Sequence, residues 1–120
     1  MRIAAYDQRT HLKALSTTTM YAHVFRSGQD AAQHRTVILI HGLGGSLNIW
    51  DPIASLLEHR FSVLHYDLRG HGQSDVPAGD WSLEDFVRDL EAIFIDESLP
   101  HAHLVGFSLG GLIVQQFALS

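Results

Sequence analysis

Ser108 lies at the centre of a Gly-Phe-Ser-Leu-Gly motif, residues 106–110, which is the segment of this sequence best suited to chemistry. An apolar run at 103–105 precedes the motif, and an apolar, helix-like run at 112–119 follows it. A G-x-S-x-G motif between a strand and a helix is typical of a nucleophile elbow, a tight turn that exposes one serine hydroxyl. Gly106 and Gly110 would let strand and helix approach closely, and Ser108 would adopt a strained, positive φ. Taken alone, the motif could equally be an ordinary glycine-rich turn.

A second glycine-rich segment, His-Gly-Leu-Gly-Gly-Ser at 41–46, follows a β-branched run. Glycines free the backbone to turn and to present N–H groups to a ligand. Acyl transfer needs two such donors beside the nucleophile, and the backbone N–H groups of Leu43 and Leu109 are the candidates. The alternative is a plain strand-to-helix loop in which Ser46 or Asn48 caps the helix. A phosphate-binding loop is disfavoured, because neither G-x-G-x-x-G nor a suitably spaced lysine is present.

A third polar segment, Asp-Leu-Arg-Gly-His-Gly-Gln-Ser-Asp at 67–75, is predicted to be a turn-forming loop. Its charged residues could pair with one another and take no part in chemistry. His101 and His103 could face one side of a strand like metal ligands. Without a third ligand we interpret them as solvent-facing or packed side chains, and no metal is expected.

Strands and helices are predicted to alternate along the chain, which indicates an α/β fold. Loose alternation favours one or two antiparallel strands within 11–26, followed by a turn at 27–30. Further strands are predicted at 36–40, 61–66 and 102–107, and helices at 48–58, from Leu83 after a Ser82 cap, and from Leu109. This order implies three layers, helices on both faces of a mostly parallel sheet. Because such sheets carry their sites at the strands' carboxyl ends, His41, Asp67 and Ser108 should share one cleft.

Composition narrows the function class. The chain has 120 residues, 46% of them hydrophobic, which suits one globular domain spanning 1–120. Its formal charge of −5 argues against nucleic acid as a partner. There is no cysteine, so thiolate chemistry and disulfides are excluded. No apolar run suggests a signal peptide or a membrane span, so we expect a cytoplasmic protein without a membrane partner.

The three polar segments together resemble the α/β-hydrolase superfamily. The match comprises the loop at 41–46, Trp50, the Asp-x-Arg-Gly-x-Gly-x-Ser pattern at 67–74 and the Gly-Phe-Ser-x-Gly-Gly pattern at 106–111, in that order. Within the superfamily the chain is most similar to small esterases, lactonases and cofactor-free haloperoxidases, including 3-oxoadipate enol-lactonase. Haloalkane dehalogenases and epoxide hydrolases resemble it elsewhere but place Asp, not Ser, at the elbow.

This resemblance implies a role for each matching residue. Ser108 would be the nucleophile, and Leu43 and Leu109 would supply the oxyanion N–H groups. The residues supporting the site would be His41, Gly42, Gly44, Gly45, Asp67, Arg69, Gly106 and Gly110. Arg69 and its loop would be structural and brace the first glycine-rich loop, and His41 would orient that loop without acting as the triad base. Trp50 and Phe107 could line an acyl pocket, although each could equally belong to the core. No cofactor is implied.

One feature departs from the superfamily's pattern, in which an acid and then a histidine follow the serine. No Asp, Glu or His occurs between Ser108 and Ser120, and the nine histidines all precede Ser108. A rearranged Ser108–His41 dyad is the weaker alternative. We therefore expect the N-terminal portion of a longer hydrolase, carrying an incomplete α/β-hydrolase fold.

Two functions follow. The first is a serine hydrolase of carboxylic esters or lactones, with the isolated chain inactive because the triad acid and base are absent. The second is a non-catalytic fragment whose open sheet edge binds a complementing C-terminal segment or another copy of itself.

Overall fold

The computed structural model describes residues 9–15, 20–28 and 35–120. Its elements in chain order are β1 (Arg9–Ala14), β2 (Tyr21–Ser27), β3 (Thr36–Ile40), a 3-10 turn (Leu47–Trp50), α1 (Asp51–Leu57), β4 (Ser62–Tyr66), α2 (Leu83–Asp96), β5 (His103–Gly106) and α3 (Leu109–Leu119). The predicted elements are therefore present. The helix predicted at 48–58 is divided into the 3-10 turn and α1, and part of the turn predicted at 27–30 lies outside the described residues.

The five strands form one sheet in the order β1-β2-β4-β3-β5. β3 pairs in parallel with both β4 and β5, and β2 joins β4 and β1 in antiparallel pairs. The register aligns Ile40, the last residue of β3, with Tyr66 of β4 and Gly106 of β5. The loops that follow these three strands consequently leave the sheet at the same edge. The predicted α/β architecture is confirmed.

Alternate residues of the central strand enter two separate cores. Ile38 and Ile40 pack in the larger core with apolar residues of α2 and α3, among them Leu90 and Ile113. Val37 and Leu39 lie in a smaller cluster with residues of the 3-10 turn and α1. Because successive strand residues point to opposite faces, this division defines the predicted three layers.

Helix α2 begins where its capping residues predict. The Ser82 backbone N–H donates to Asp85 Oδ2 at 2.8 Å, as in a capping box. The buried side chains of α2 then recur at helical spacing and face the sheet: Phe86, Val87, Asp89, Leu90, Ala92 and Ile93. Among the described residues, no helix has the length and apolar character needed to cross a membrane.

A buried ion pair attaches the loop after β4 to α2. Arg69 donates through Nε to Asp89 Oδ2 at 2.7 Å and through a terminal nitrogen to Oδ1 at 2.8 Å. Asp89 is 1% exposed, and the guanidinium carbon of Arg69 lies 5.8 Å from the centroid of the Trp81 ring. Bidentate geometry satisfies both charges and links that loop to α2.

Removing one partner of this ion pair should be far more damaging than removing both. We expect Asp89→Ala to lower the free energy of unfolding by about 3–5 kcal/mol, because the Arg69 charge would stay buried without a partner. An apolar double variant, R69M/D89L, should lose much less. Urea unfolding followed by tryptophan fluorescence measures both. Equal losses in the two variants would contradict the argument.

Candidate active site

The chain turns sharply at Ser108, between β5 and α3. Ser108 has φ 57° and ψ −117°, a conformation that non-glycine residues rarely adopt, and it is exposed. Phe107 N–H donates to Ile40 O at 3.0 Å, which continues the pairing with β3 up to the turn. Leu109 begins α3, so its N–H has no partner within the helix and lies at the positive end of the helix dipole.

Glycines are required where the elbow meets its neighbours. A Cβ at Gly110 would collide with the carbonyl oxygens of Ile40 and His41, and one at Gly106 would collide with the Gly110 carbonyl. At Gly42 a Cβ would lie 2.9 Å from Ser108 Cβ and 3.0 Å from Phe107 O. The structure therefore brings the loop after β3 against the elbow, as the shared strand ends predict.

His41 is fully buried beneath this loop, and both of its ring nitrogens have partners. Nδ1 lies 2.7 Å from the Gly42 carbonyl oxygen, and Nε2 accepts from Leu68 N–H at 3.0 Å. Desolvation by burial lowers the pKa of His41, more than the Gly42 hydrogen bond raises it. The ring is thus uncharged at neutral pH. With both nitrogens occupied, His41 links two loops and is not available as a base for Ser108.

Asp67, the residue after β4, is also buried and is surrounded by donors. Its carboxylate accepts from Leu47 N–H at 2.8 Å and Gln73 N–H at 2.9 Å, and it lies 2.8 Å from His23 Nδ1. Burial on its own would raise the pKa of Asp67, but these backbone and histidine hydrogen bonds lower it. Asp67 therefore joins β2, the end of the glycine-rich loop and the loop at 67–75 as a structural carboxylate.

The loop that carries Arg69 contacts the glycine-rich loop, but not through the Arg69 guanidinium, which is engaged by Asp89 of α2. The contacts run through His71, whose Nε2 accepts from Gly44 N–H at 2.9 Å, and through Leu68 N–H, which donates to His41 Nε2. Trp50 is 8% exposed and packs in the smaller core, so it is a core residue and not part of an exposed pocket.

The remaining candidates are exposed. Phe107 and Leu43 are 62% and 77% exposed, on the two segments that meet at the cleft. His101 and His103 are both exposed, and His103 makes an edge contact with the Phe61 ring. In the ranges 9–15, 20–28 and 35–120, no cluster of three or more His, Cys, Asp or Glu residues is arranged to hold a metal ion.

Across the residues that the structure describes, no ionisable side chain is hydrogen-bonded to the Ser108 hydroxyl. Ser46 caps the 3-10 turn, accepting from Asn48 N–H at 3.3 Å, so the capping alternative for this loop also holds. Two important residues were not singled out from the sequence, namely His71 and Asp89. For Asp89 the available signal was an acid at a position of α2 that helical spacing places on its apolar face, and for His71 it was only its place in the polar loop at 67–75.

Comparison with known proteins agrees with this geometry. A family model described as alpha/beta hydrolase fold matches residues 35–120. This chain belongs to that family. A candidate carbamate hydrolase of Yersinia enterocolitica is 38% identical over 96 residues, which cover 78% of this chain and 34% of that protein.

Solved structures of hydrolases share the fold. The enol-lactonase of Burkholderia xenovorans LB400 superimposes with a TM-score of 0.80 at 29% identity, over 86% of this chain and 39% of that one. A hydrolase of Pseudomonas aeruginosa PA01 has a TM-score of 0.83 at 28% identity, over 94% of this chain and 41% of its own. The chain thus spans about a third of the curated relative and about two fifths of these structures.

Two adjacent glycines at the start of α3 allow a matched test of the close approach. Gly110→Ala should lower the free energy of unfolding by about 1–3 kcal/mol or more, because β3 and α3 must separate. Gly111→Ala should be near neutral, since its Cβ would make an ordinary 3.5 Å contact with Gly106 O. Urea unfolding of both variants decides the matter. A G110A variant as stable as G111A would contradict the described packing.

Proposed function

We propose that this chain carries the nucleophile and oxyanion-binding elements of a serine hydrolase that acts on carboxylic esters or lactones through an acyl-enzyme. The observation that carries the proposal is the exposed Ser108, held at φ 57° between the first turn of α3 and the backbone of Gly42. A strained, exposed serine at this position fits a nucleophile better than an ordinary turn.

In the proposed reaction, Ser108 Oγ attacks the substrate carbonyl carbon while a general base removes the hydroxyl proton. The backbone N–H groups of Leu109 and Leu43 would stabilise the negative charge that develops on the carbonyl oxygen. The alcohol leaves with a proton, and water then cleaves the acyl-enzyme to release the acid and restore the serine. The base and its acidic partner would come from sequence outside residues 1–120.

Several features support a carbonyl substrate. Serine at the elbow suits acyl transfer, and two relatives are named as an enol-lactonase and a candidate carbamate hydrolase. Both kinds of substrate contain a carbonyl group that a serine can attack. The exposed apolar side chains of Phe107 and Leu43 flank the elbow and could contact the acyl group.

The isolated chain should hydrolyse an activated ester very slowly. Without its base a serine triad loses on the order of 10⁶ in kcat, and oxyanion stabilisation and binding retain only ~10³–10⁴ over water. Release of p-nitrophenol from its acetate ester measures the rate, with Ser108→Ala as the control. Turnover at a normal enzyme rate that S108A abolishes would show that the chain holds its own base.

A specific observation favours the second candidate, a chain that associates through its sheet edge. β5 is the outermost strand beside β3, with Val105 42% exposed and Leu112 of α3 53% exposed. Unpaired edges with apolar side chains promote association with another strand.

Association should then depend on concentration and on this edge. We expect size-exclusion chromatography to show a larger species as concentration rises, and Val105→Lys to shift it towards the monomer. Leu56→Lys, an exposed α1 position away from β5, provides the matched control. A wild-type chain that stays monomeric across the concentration range would reject this candidate.

A further inference from the structure

The two peptide groups on either side of Leu43 are each held by a histidine. The carbonyl oxygen of Gly42 lies 2.7 Å from His41 Nδ1 and also accepts from Gly45 N–H at 3.0 Å. The next peptide donates its Gly44 N–H to His71 Nε2 at 2.9 Å. Leu43 thus lies between two peptide planes that are fixed from different loops.

Because a peptide group is planar, fixing the Gly42 carbonyl also fixes the direction of the Leu43 N–H. That N–H belongs to the same trans peptide as the Gly42 carbonyl, so the two groups point in opposite directions. Since the carbonyl is held by His41 and Gly45, the N–H must point away from them. The hydrogen bond from Gly44 N–H to His71 then prevents rotation of the next peptide group, which joins Leu43 to Gly44. Gly44 itself has a positive φ of 80°.

These contacts also define the protonation state of both rings. A backbone N–H can only donate, so Nε2 of His41 and of His71 must be unprotonated where they accept from Leu68 and Gly44. Nδ1 of His71 lies 2.9 Å from the Arg69 carbonyl oxygen, and Nδ1 of His41 likewise faces a carbonyl, so both carry hydrogen. The two rings meet edge to face, with centroids 5.1 Å apart.

We propose that His71 is a positioning residue of the glycine-rich loop, holding the Leu43 N–H in place together with His41, and only as the neutral Nδ1–H tautomer. Protonation would turn Nε2 from an acceptor into a donor and break the bond to Gly44. The consequence for oxyanion binding rests on the proposed function, whereas the hydrogen bonding does not.

The surroundings leave His71 as the accessible member of the pair. His41 is fully buried, and His71 is partly exposed, so water can exchange protons with the His71 ring. Nearby ionisable groups include His41 on the glycine-rich loop, whose ring centroid lies 5.1 Å away, and Asp67, Arg69 and Asp75 on its own loop. The Arg69 guanidinium is directed to Asp89, and residues 42–50 carry no ionisable side chain.

Nuclear magnetic resonance of the ¹⁵N-labelled chain tests the proposal directly. At neutral pH the His71 ring should show the shifts of an Nδ1–H tautomer. On acidification the Gly44 and Leu43 amide signals should shift with the protonation of His71. If His71 is instead Nε2–H or charged while the Gly44 amide is protected, the proposal is wrong.

Three variants separate positioning from general support. His71→Gln offers an oxygen near the Nε2 position, whereas His71→Asn offers polar atoms only near Nδ1. We expect Gly44 amide exchange to accelerate roughly two- to tenfold in H71N and H71A, the range set by one lost hydrogen bond, and to recover in H71Q. In H71Q the Leu43 and Gly44 shifts should no longer follow the wild-type titration.

Unchanged Leu43 and Gly44 signals in H71N would overturn the proposal, as would a change confined to Gly44. If H71A fails to fold, the wild-type measurements of the His71 tautomer and of the amide shifts on acidification still test the proposal. None of these measurements needs a reactive Ser108. The role of His71 is therefore confirmed or rejected by the amide signals alone, whatever the ester assay of Ser108 shows about the hydrolase proposal.

Discussion

The whole site depends on the close approach between β3 and the first turn of α3. Gly110 lies against the carbonyl groups of Ile40 and His41, and Gly42 lies against Ser108, with no room for a Cβ at either position. This contact forces the chain to reverse within one residue, which places Ser108 at positive φ. It also sets the loop after β3 beside the start of α3, so two backbone segments distant in sequence face the same point.

Much of this arrangement could be predicted from the order of the motifs. Parallel pairing aligns the ends of β3, β4 and β5, so knowing that each strand precedes a polar loop was enough to predict that the loops meet. The sharp turn at Ser108 was predictable from Gly106 and Gly110 together with their place between a predicted strand and a predicted helix. Both predictions used only local residue patterns and the regular geometry of a parallel sheet.

Individual side-chain partners could not be predicted in the same way. Arg69 and its loop were expected to brace the glycine-rich loop, and the loop contacts it through His71 and Leu68. The Arg69 side chain instead pairs with Asp89, twenty positions away on a helix whose other buried side chains are apolar. Trp50 packs in the core, which its residue type allowed equally well. Which side chains meet depends on how each helix is oriented against the sheet. The pattern of residues within one helix or one loop does not predict that orientation.

The polar residues of the cleft fall into two chemical groups according to burial. His41 and Asp67 are buried, and their polar atoms are engaged by backbone groups, so they are stable supports with little capacity to exchange protons. Ser108 and Leu43 are exposed on strained or glycine-flanked backbone, where a ligand can reach them. The sequence alone cannot separate these two groups. Whether a histidine can exchange a proton depends on which of its ring nitrogens already has a hydrogen-bond partner. The buried residues of the cleft therefore hold its loops in place, and the exposed ones remain accessible to a ligand.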